Sequence, residues 1–120
     1  MALYTSTTST AHGVVLPAAQ AVSSSDTFAN ANGRTLIEVN NGGGSSITVT
    51  FVTNGTYNVT PTVTYDVADD AQTVANGASK VFGPFNVQLM NAGGVSTGVV
   101  TVNYSATTSV TARVIELGSA

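Results

Sequence analysis

Apolar and polar residues alternate along most of this chain. Residues 34–40 place Thr35, Ile37 and Val39 on one face and Leu36 and Glu38 on the other. Residues 46–53 set Ile47, Val49 and Phe51 against Thr48, Thr50 and Val52. The run 57–67 is the most regular, with Tyr57, Val59, Pro61, Val63, Tyr65 and Val67 opposite Asn58, Thr60, Thr62, Thr64 and Asp66. A period of two marks a strand with one buried face. Each run therefore predicts a strand, and 57–67 reads as one long strand that Pro61 confines to an edge or a bulge.

Further strands are expected over 79–85, with Val87 and Leu89 continuing the inward phase to Asn91, and over 95–105 and 108–117. Gly98 falls where the side-chain phase slips by one and is a natural bulge. Residues 13–22 are apolar but contain Pro17, which suits an edge strand or an extended connection. Ser23-Ser24-Ser25-Asp26 reads as a turn or loop, and Phe28 after it as a core anchor. Four Asn-Gly pairs, at 32–33, 41–42, 54–55 and 76–77, separate the runs. Asn-Gly supplies the two positive-φ positions of a type I′ turn, whose twist matches paired antiparallel strands. The pattern predicts an all-β chain, either a single antiparallel β-sandwich (jelly-roll or Ig-like) or a small barrel of about eight strands. Residues 1–12, rich in Thr and Ser, are expected to form an extended N-terminal arm, 13–117 the domain and 118–120 a tail.

Composition narrows the classes of function. At 120 residues the chain is one domain with a single core. Charged residues are 8% of it, far below the roughly 25% of ordinary soluble domains. Ser, Thr and Asn supply the remaining polarity, which suits a surface packed against other proteins. The net charge is −3, and Arg34, Lys80 and Arg113 are the cations. Displacing counterions from phosphates takes clustered cations, so no nucleic-acid partner is expected. No apolar run reaches the ~20 residues of a membrane span, and no membrane partner is expected. The first residues carry neither a basic nor an apolar leader pattern, which suits a protein kept in the cytosol until it is assembled.

Candidate chemistry is sparse. There is no cysteine and His12 is the single histidine, so a transition-metal site lacks the ligands it needs, and no metal or cofactor is expected. Nothing resembles a nucleophile elbow beside that histidine, and no catalytic residue is assigned. Asp66, Asp69 and Asp70 cluster without the spacing of a calcium loop, and a solvated turn beside a sheet edge is the expected role. Gly42-Gly43-Gly44 is followed by neither lysine nor helix, as a phosphate loop requires. Three glycosylation triplets occur in a chain so rich in Asn, Ser and Thr that they carry no weight.

Residues 75–85 (Ala-Asn-Gly-Ala-Ser-Lys-Val-Phe-Gly-Pro-Phe), 99–105 (Val-Val-Thr-Val-Asn-Tyr-Ser) and 108–114 (Thr-Ser-Val-Thr-Ala-Arg-Val) resemble small virion proteins of tailed bacteriophages, of the head decoration or cement type. Asp26-Thr27-Phe28, Asn32-Gly33-Arg34-Thr35 and Asn40-Asn41-Gly42-Gly43 fit the same pattern, so the resemblance spans residues 26–117. It implies a non-enzymatic structural protein on the outer surface of the capsid, made in the host cytoplasm. The partner it implies is the major capsid protein, whose subunit joints it would bridge. It also implies a homo-oligomer, with a trimer favoured. The arm is then the candidate clamp, with Leu3, Tyr4, Thr5, Thr7, Thr8 and His12 at the capsid or subunit interface. Two other readings stand beside it: a different virion part, such as a head–tail joining or tail protein, and a bacterial adhesive β-sandwich module.

Overall fold

The computed structural model describes residues 3–4, 6–9, 15–53, 56–60, 63–66, 68–94 and 97–117. The fold is all-β. Its strands are β1 (Leu3–Tyr4), β2 (Ser6–Ser9), β3 (Gln20–Ala21), β4 (Ser25–Ala29), β5 (Thr35–Asn41), β6 (Ile47–Phe51), β7 (Thr56–Thr60), β8 (Val63–Asp66), β9 (Asp70–Val74), β10 (Ser79–Phe82), β11 (Val99–Tyr104) and β12 (Val110–Leu117). One helical turn, α1 (Val87–Met90), lies between β10 and β11.

Ten of the twelve strands form two open sheets. The first has the order β1-β4-β11-β6-β9, the second β10-β5-β12-β2, and β3 also pairs with β12. Neither closes on itself, so the barrel alternative is set aside. Both sheets are mixed rather than antiparallel, because β1 runs parallel to β4 and β2 parallel to β12. The outer edge of β12 is shared, with β3 opposite Thr111 and Ala112 and β2 opposite Val114 through Leu117.

Alternation delivers one core from both sheets. Val49 and Phe51 of β6 and Val100 and Val102 of β11 join Ile37 and Val39 of β5 and Ala112 and Val114 of β12 in a single buried cluster. Aromatic rings link the layers. Phe51 of the first sheet packs 5.1 Å from Phe82 of the second, and Phe85 sits 4.9 Å from Phe51 and 5.3 Å from Phe28. Tilted ring pairs at such distances add about 0.5–1.5 kcal/mol each beyond the area they bury. Gly83 lets Phe85 reach this position: its φ is 114°, and a Cβ there would come within 2.6 Å of the Thr35 carbonyl oxygen. Buried amides hold the same segment from the other side. Asn30 Nδ2 donates to the Phe85 carbonyl and to Asn91 Oδ1, both at 2.9 Å, and Asn91 Nδ2 donates back to the Asn30 carbonyl.

Several sequence expectations are corrected here. The run 57–67 is not one strand but the antiparallel pair β7–β8, which belongs to neither sheet. Proline has no ladder donor, and the chain reverses between Thr60 and Val63. Pro61 and Thr62 themselves lie outside the described residues. Residues 87–90 form α1 instead of continuing a strand, because Asn86 Oδ1 accepts from Leu89 N at 3.1 Å and caps the turn. Gly98 is not a bulge. It precedes β11 and abuts Ala92, whose carbonyl oxygen leaves no room for a Cβ there.

The Asn-Gly pairs also act differently from the type I′ expectation. Ser109 is the sole non-glycine with positive φ among the described residues, so neither Asn41 nor Asn76 has the backbone that turn requires. Asn41 instead ends β5 fully buried. Its Nδ2 donates to the Ser45 and Val74 carbonyls and its Oδ1 accepts from Gly43 N. Asn76-Gly77 joins β9 to β10 across the two sheets rather than within one. The Asn54-Gly55 pair lies outside the described residues.

Candidate functional site

The N-terminal strands bring most of the sequence-predicted interface residues onto the body of the fold. Leu3 and Tyr4 pair in parallel with Thr27 and Phe28 of β4, while Thr7 and Thr8 pair with Ile115 and Glu116 of β12. The segment thus passes from the edge of one sheet to the edge of the other. Thr5 and His12, also expected at the interface, lie outside the described residues, as does the 118–120 tail.

Tyr4, expected at the interface, is turned inward. It is 4% exposed, inside the core, so it is not free to touch a partner while the strand is docked. Its hydroxyl donates to Asp26 Oδ2 at 2.5 Å and lies 2.8 Å from the Tyr104 hydroxyl. A hydroxyl has one proton, and Tyr4 commits it to the carboxylate, so Tyr104 donates to Tyr4. The same Asp26 Oδ2 accepts from Ser23 N at 2.9 Å. Asp26 is fully buried, and a buried carboxylate is tolerated when its lone pairs are met in this way. Burial, with the Asp26 hydrogen bond next, pushes the Tyr4 hydroxyl far above its ordinary pKa, and burial raises Tyr104 as well.

Around this anchor the segment is shallow. Leu3 is 64% exposed, Thr8 is exposed, and Ser6 and Thr7 are half-buried. The Thr7 hydroxyl oxygen is buried without a hydrogen-bond partner. Of the five large hydrophobic residues exposed among the described residues, four lie on this segment or beside it. Leu3 is in β1, Val15 and Leu16 follow β2, and Leu117 pairs with Ser9 at the end of β12.

Sequence reasoning missed Asp26 and Tyr104. The signal was present: Asp26 shares the phase of Phe28, and Tyr104 that of Val100 and Val102. An acid two residues before a core phenylalanine marks a buried hydrogen-bonding group when that stretch is read as a strand rather than a turn.

The other candidates are structural. Asp69 Oδ1 accepts from Thr53 N at 3.0 Å, tying the start of the excursion between β6 and β9 to its end. Asp70 Oδ1 accepts from Gln72 Nε2 on the exposed edge strand β9. A pocket of about 160 Å³ between the β5–β6 and β11–β12 loops is lined by Asn41, Ile47 and Thr108 with glycines, serines and Ala106, none of them ionisable. Comparison with known protein families, with curated proteins and with solved structures finds no match to this chain.

Proposed function

We propose that this chain is a non-enzymatic structural β-sandwich of a tailed-bacteriophage virion, binding the outside of the capsid and bridging major capsid subunits. The observation that carries the structural role is the fate of its interior ionisable groups. Asp26, Tyr4 and Tyr104 converge, and their hydrogen bonds are spent on anchoring a strand in the core. A surface built from Thr, Ser and Asn, with charge at 8% of residues, can pack against protein without desolvating many ions. The virion assignment rests on the resemblance of residues 75–85, 99–105 and 108–114, which supply much of the core. Contact with the capsid falls to exposed positions near the N-terminus, Leu3 and Thr8, rather than to Tyr4. A closed trimer presents three equal contacts, so modest individual affinities combine by avidity.

The experiment is quantitative binding to purified expanded phage heads, with imaging of the bound copies. Saturation at one copy per subunit joint, weakened by Leu3→Asp or Thr8→Asp, is the expected result. Saturation at a single ring of copies, or no binding at all, would overturn the reading.

A further inference from the structure

We propose that residues 3–9 exchange between copies of this chain, so that β1 and β2 of one copy complete both sheets of another. This inference does not rest on the virion reading and can be tested in solution.

The first ground is how the segment is attached. Among its described side chains Tyr4 is the one classed as buried, and backbone pairing to β4 and β12 holds the segment along both strands. Both pairings are parallel, and parallel neighbours are never joined by a tight turn. The acceptor site is complete without the segment: Asp26 and Tyr104 come from β4 and β11, and the backbone edges come from β4 and β12. Nothing in that site distinguishes a Tyr4 delivered by the same chain from one delivered by a second copy.

The second ground is reach. Ser9 lies opposite Leu117 and Gln20 lies opposite Ala112, five positions back along β12. That separation is about 17 Å at the rise of a strand. The ten residues 10–19 that join them can span about 33 Å when extended. The connection is therefore about twice as long as closure within one chain demands, and the spare length can carry the segment to a neighbour.

The third ground points to the occupant. Exposed apolar residues lie on the parts an exchange would move or cover: Leu3 on the segment, Val15 and Leu16 on its connection, and Leu117 opposite Ser9. The fifth such residue among the described ones, Val81, lies on β10. A second copy joined through the exchanged strands would bring the two connections, each with Val15 and Leu16, to one junction and cover them. Because the contact is made by the same parts of each copy, it closes as a dimer or a small ring.

The chain has no cysteine, which allows a clean test. Thr8 and Glu116 are opposite each other in the β2–β12 register. One full-length chain carries Thr8→Cys and another Glu116→Cys. They are mixed through a mild unfolding and refolding step, and the thiols are then oxidised. Exchange predicts a mixed disulfide species at twice 12.0 kDa, formed at least tenfold above a control that pairs Thr8→Cys with Thr108→Cys. Mixed species no more abundant than the control would overturn the proposal, and so would a chain carrying both Thr8→Cys and Glu116→Cys that closes its disulfide only within single chains. Both variants sit on exposed or half-buried positions, and a second measurement needs no substitution at all. The unmodified protein must show a solution mass that is a multiple of 12.0 kDa, and a mass of 12.0 kDa at every concentration would equally overturn it.

Discussion

Each flank of this molecule is crossed by one stretch of chain that belongs to both sheets, and the two stretches are fastened differently. At one flank β9 ends the first sheet and β10 ends the second. That crossing is rooted in the core at both ends, by Val74 and by Phe82 against Phe51. Its turn is held by Gly77 N on the Asn41 carbonyl at 2.7 Å and by Asn41 N on the Ala78 carbonyl at 2.9 Å. At the other flank β1 and β2 end the same two sheets, and one side chain, Tyr4, enters the core. The first crossing cannot lift without opening the aromatic cluster. The second can undock while the remaining strands keep their partners, so local opening concentrates there.

The largest expected effect tests the firm flank. Phe82→Ala removes a ring packed on Phe51 and leaves a cavity between the sheets, at a cost of about 3–5 kcal/mol in denaturant unfolding. A loss under about 1 kcal/mol would mean that β10 is not rooted in the core, and the contrast between flanks would fail. Tyr4→Ala removes a buried ring of similar size but is expected to cost less, about 2 kcal/mol, because the loss cannot exceed the free energy of docking the segment. Hydrogen exchange separates the two variants. Amides of residues 6–9 and 114–117 should lose protection in Tyr4→Ala while β9 and β10 keep theirs. Uniform loss across both flanks would show that the segment is as integral as β10.

Tyr4→Phe keeps the ring and isolates the hydroxyl. Asp26 Oδ2 loses the Tyr4 hydrogen bond and Tyr104 loses its acceptor, an expected cost of about 1–2 kcal/mol, within the same docking limit. The pH dependence follows from the same atoms. Both tyrosines have folded-state pKa values raised above the ordinary 10.0 by burial. Below pH 10 both are neutral folded or unfolded, and their stabilisation is fully present. Above pH 10 the unfolded chain ionises while the buried hydroxyls resist, so stability falls by about 1.4 kcal/mol per pH unit for each group. The unfolding midpoint measured from pH 8 to 11.5 should therefore drop above pH 10 in the native chain, and about half as steeply in Tyr4→Phe. Equal slopes in the two proteins would mean that Tyr4 is not buried as a neutral hydroxyl.

Much of the fold was legible from alternation. The inward phase of β5 and β6 is as the sequence predicts, and β11 and β12 fall within the expected strand ranges, because each strand presents one face to a single core and period two survives that. What escaped detection has local causes. One regular run is the two paired strands β7 and β8, and an asparagine cap turned residues 87–90 into α1. The Thr/Ser-rich start gave no strand signal, since β1 and β2 are held by backbone pairing and a single tyrosine rather than by an apolar face. Period two reports burial, and those strands bury almost nothing. Of the candidate site, Tyr4 was picked out as part of an exposed clamp, and its partners Asp26 and Tyr104 were not seen. Their meeting depends on β4 and β11 being neighbours, which no local pattern encodes.

The smallest expected effect sharpens the firm flank further. Lys80 is exposed on β10, with its Nζ 3.4 Å from the Thr73 carbonyl of β9 and 5.5 Å from the centre of the Phe82 ring. An exposed cation over a ring contributes about 0.5–1 kcal/mol, so Lys80→Ala should barely move the unfolding midpoint. Its larger role is at the edge. β10 pairs with β5 alone, its other backbone edge is open, and its neighbour Val81 is 58% exposed. Lysine on an open edge blocks the approach of a second strand, because pairing would have to strip its charge of water. Removing it leaves the edge from Ser79 to Val81 without charge, and that edge should add strands from other copies. Light scattering of Lys80→Ala is therefore expected to show mass growing with concentration beyond that of the native protein, at nearly unchanged stability. If the variant keeps the native mass, the edge is guarded by its shortness rather than by charge. The two flanks would then differ in anchoring alone.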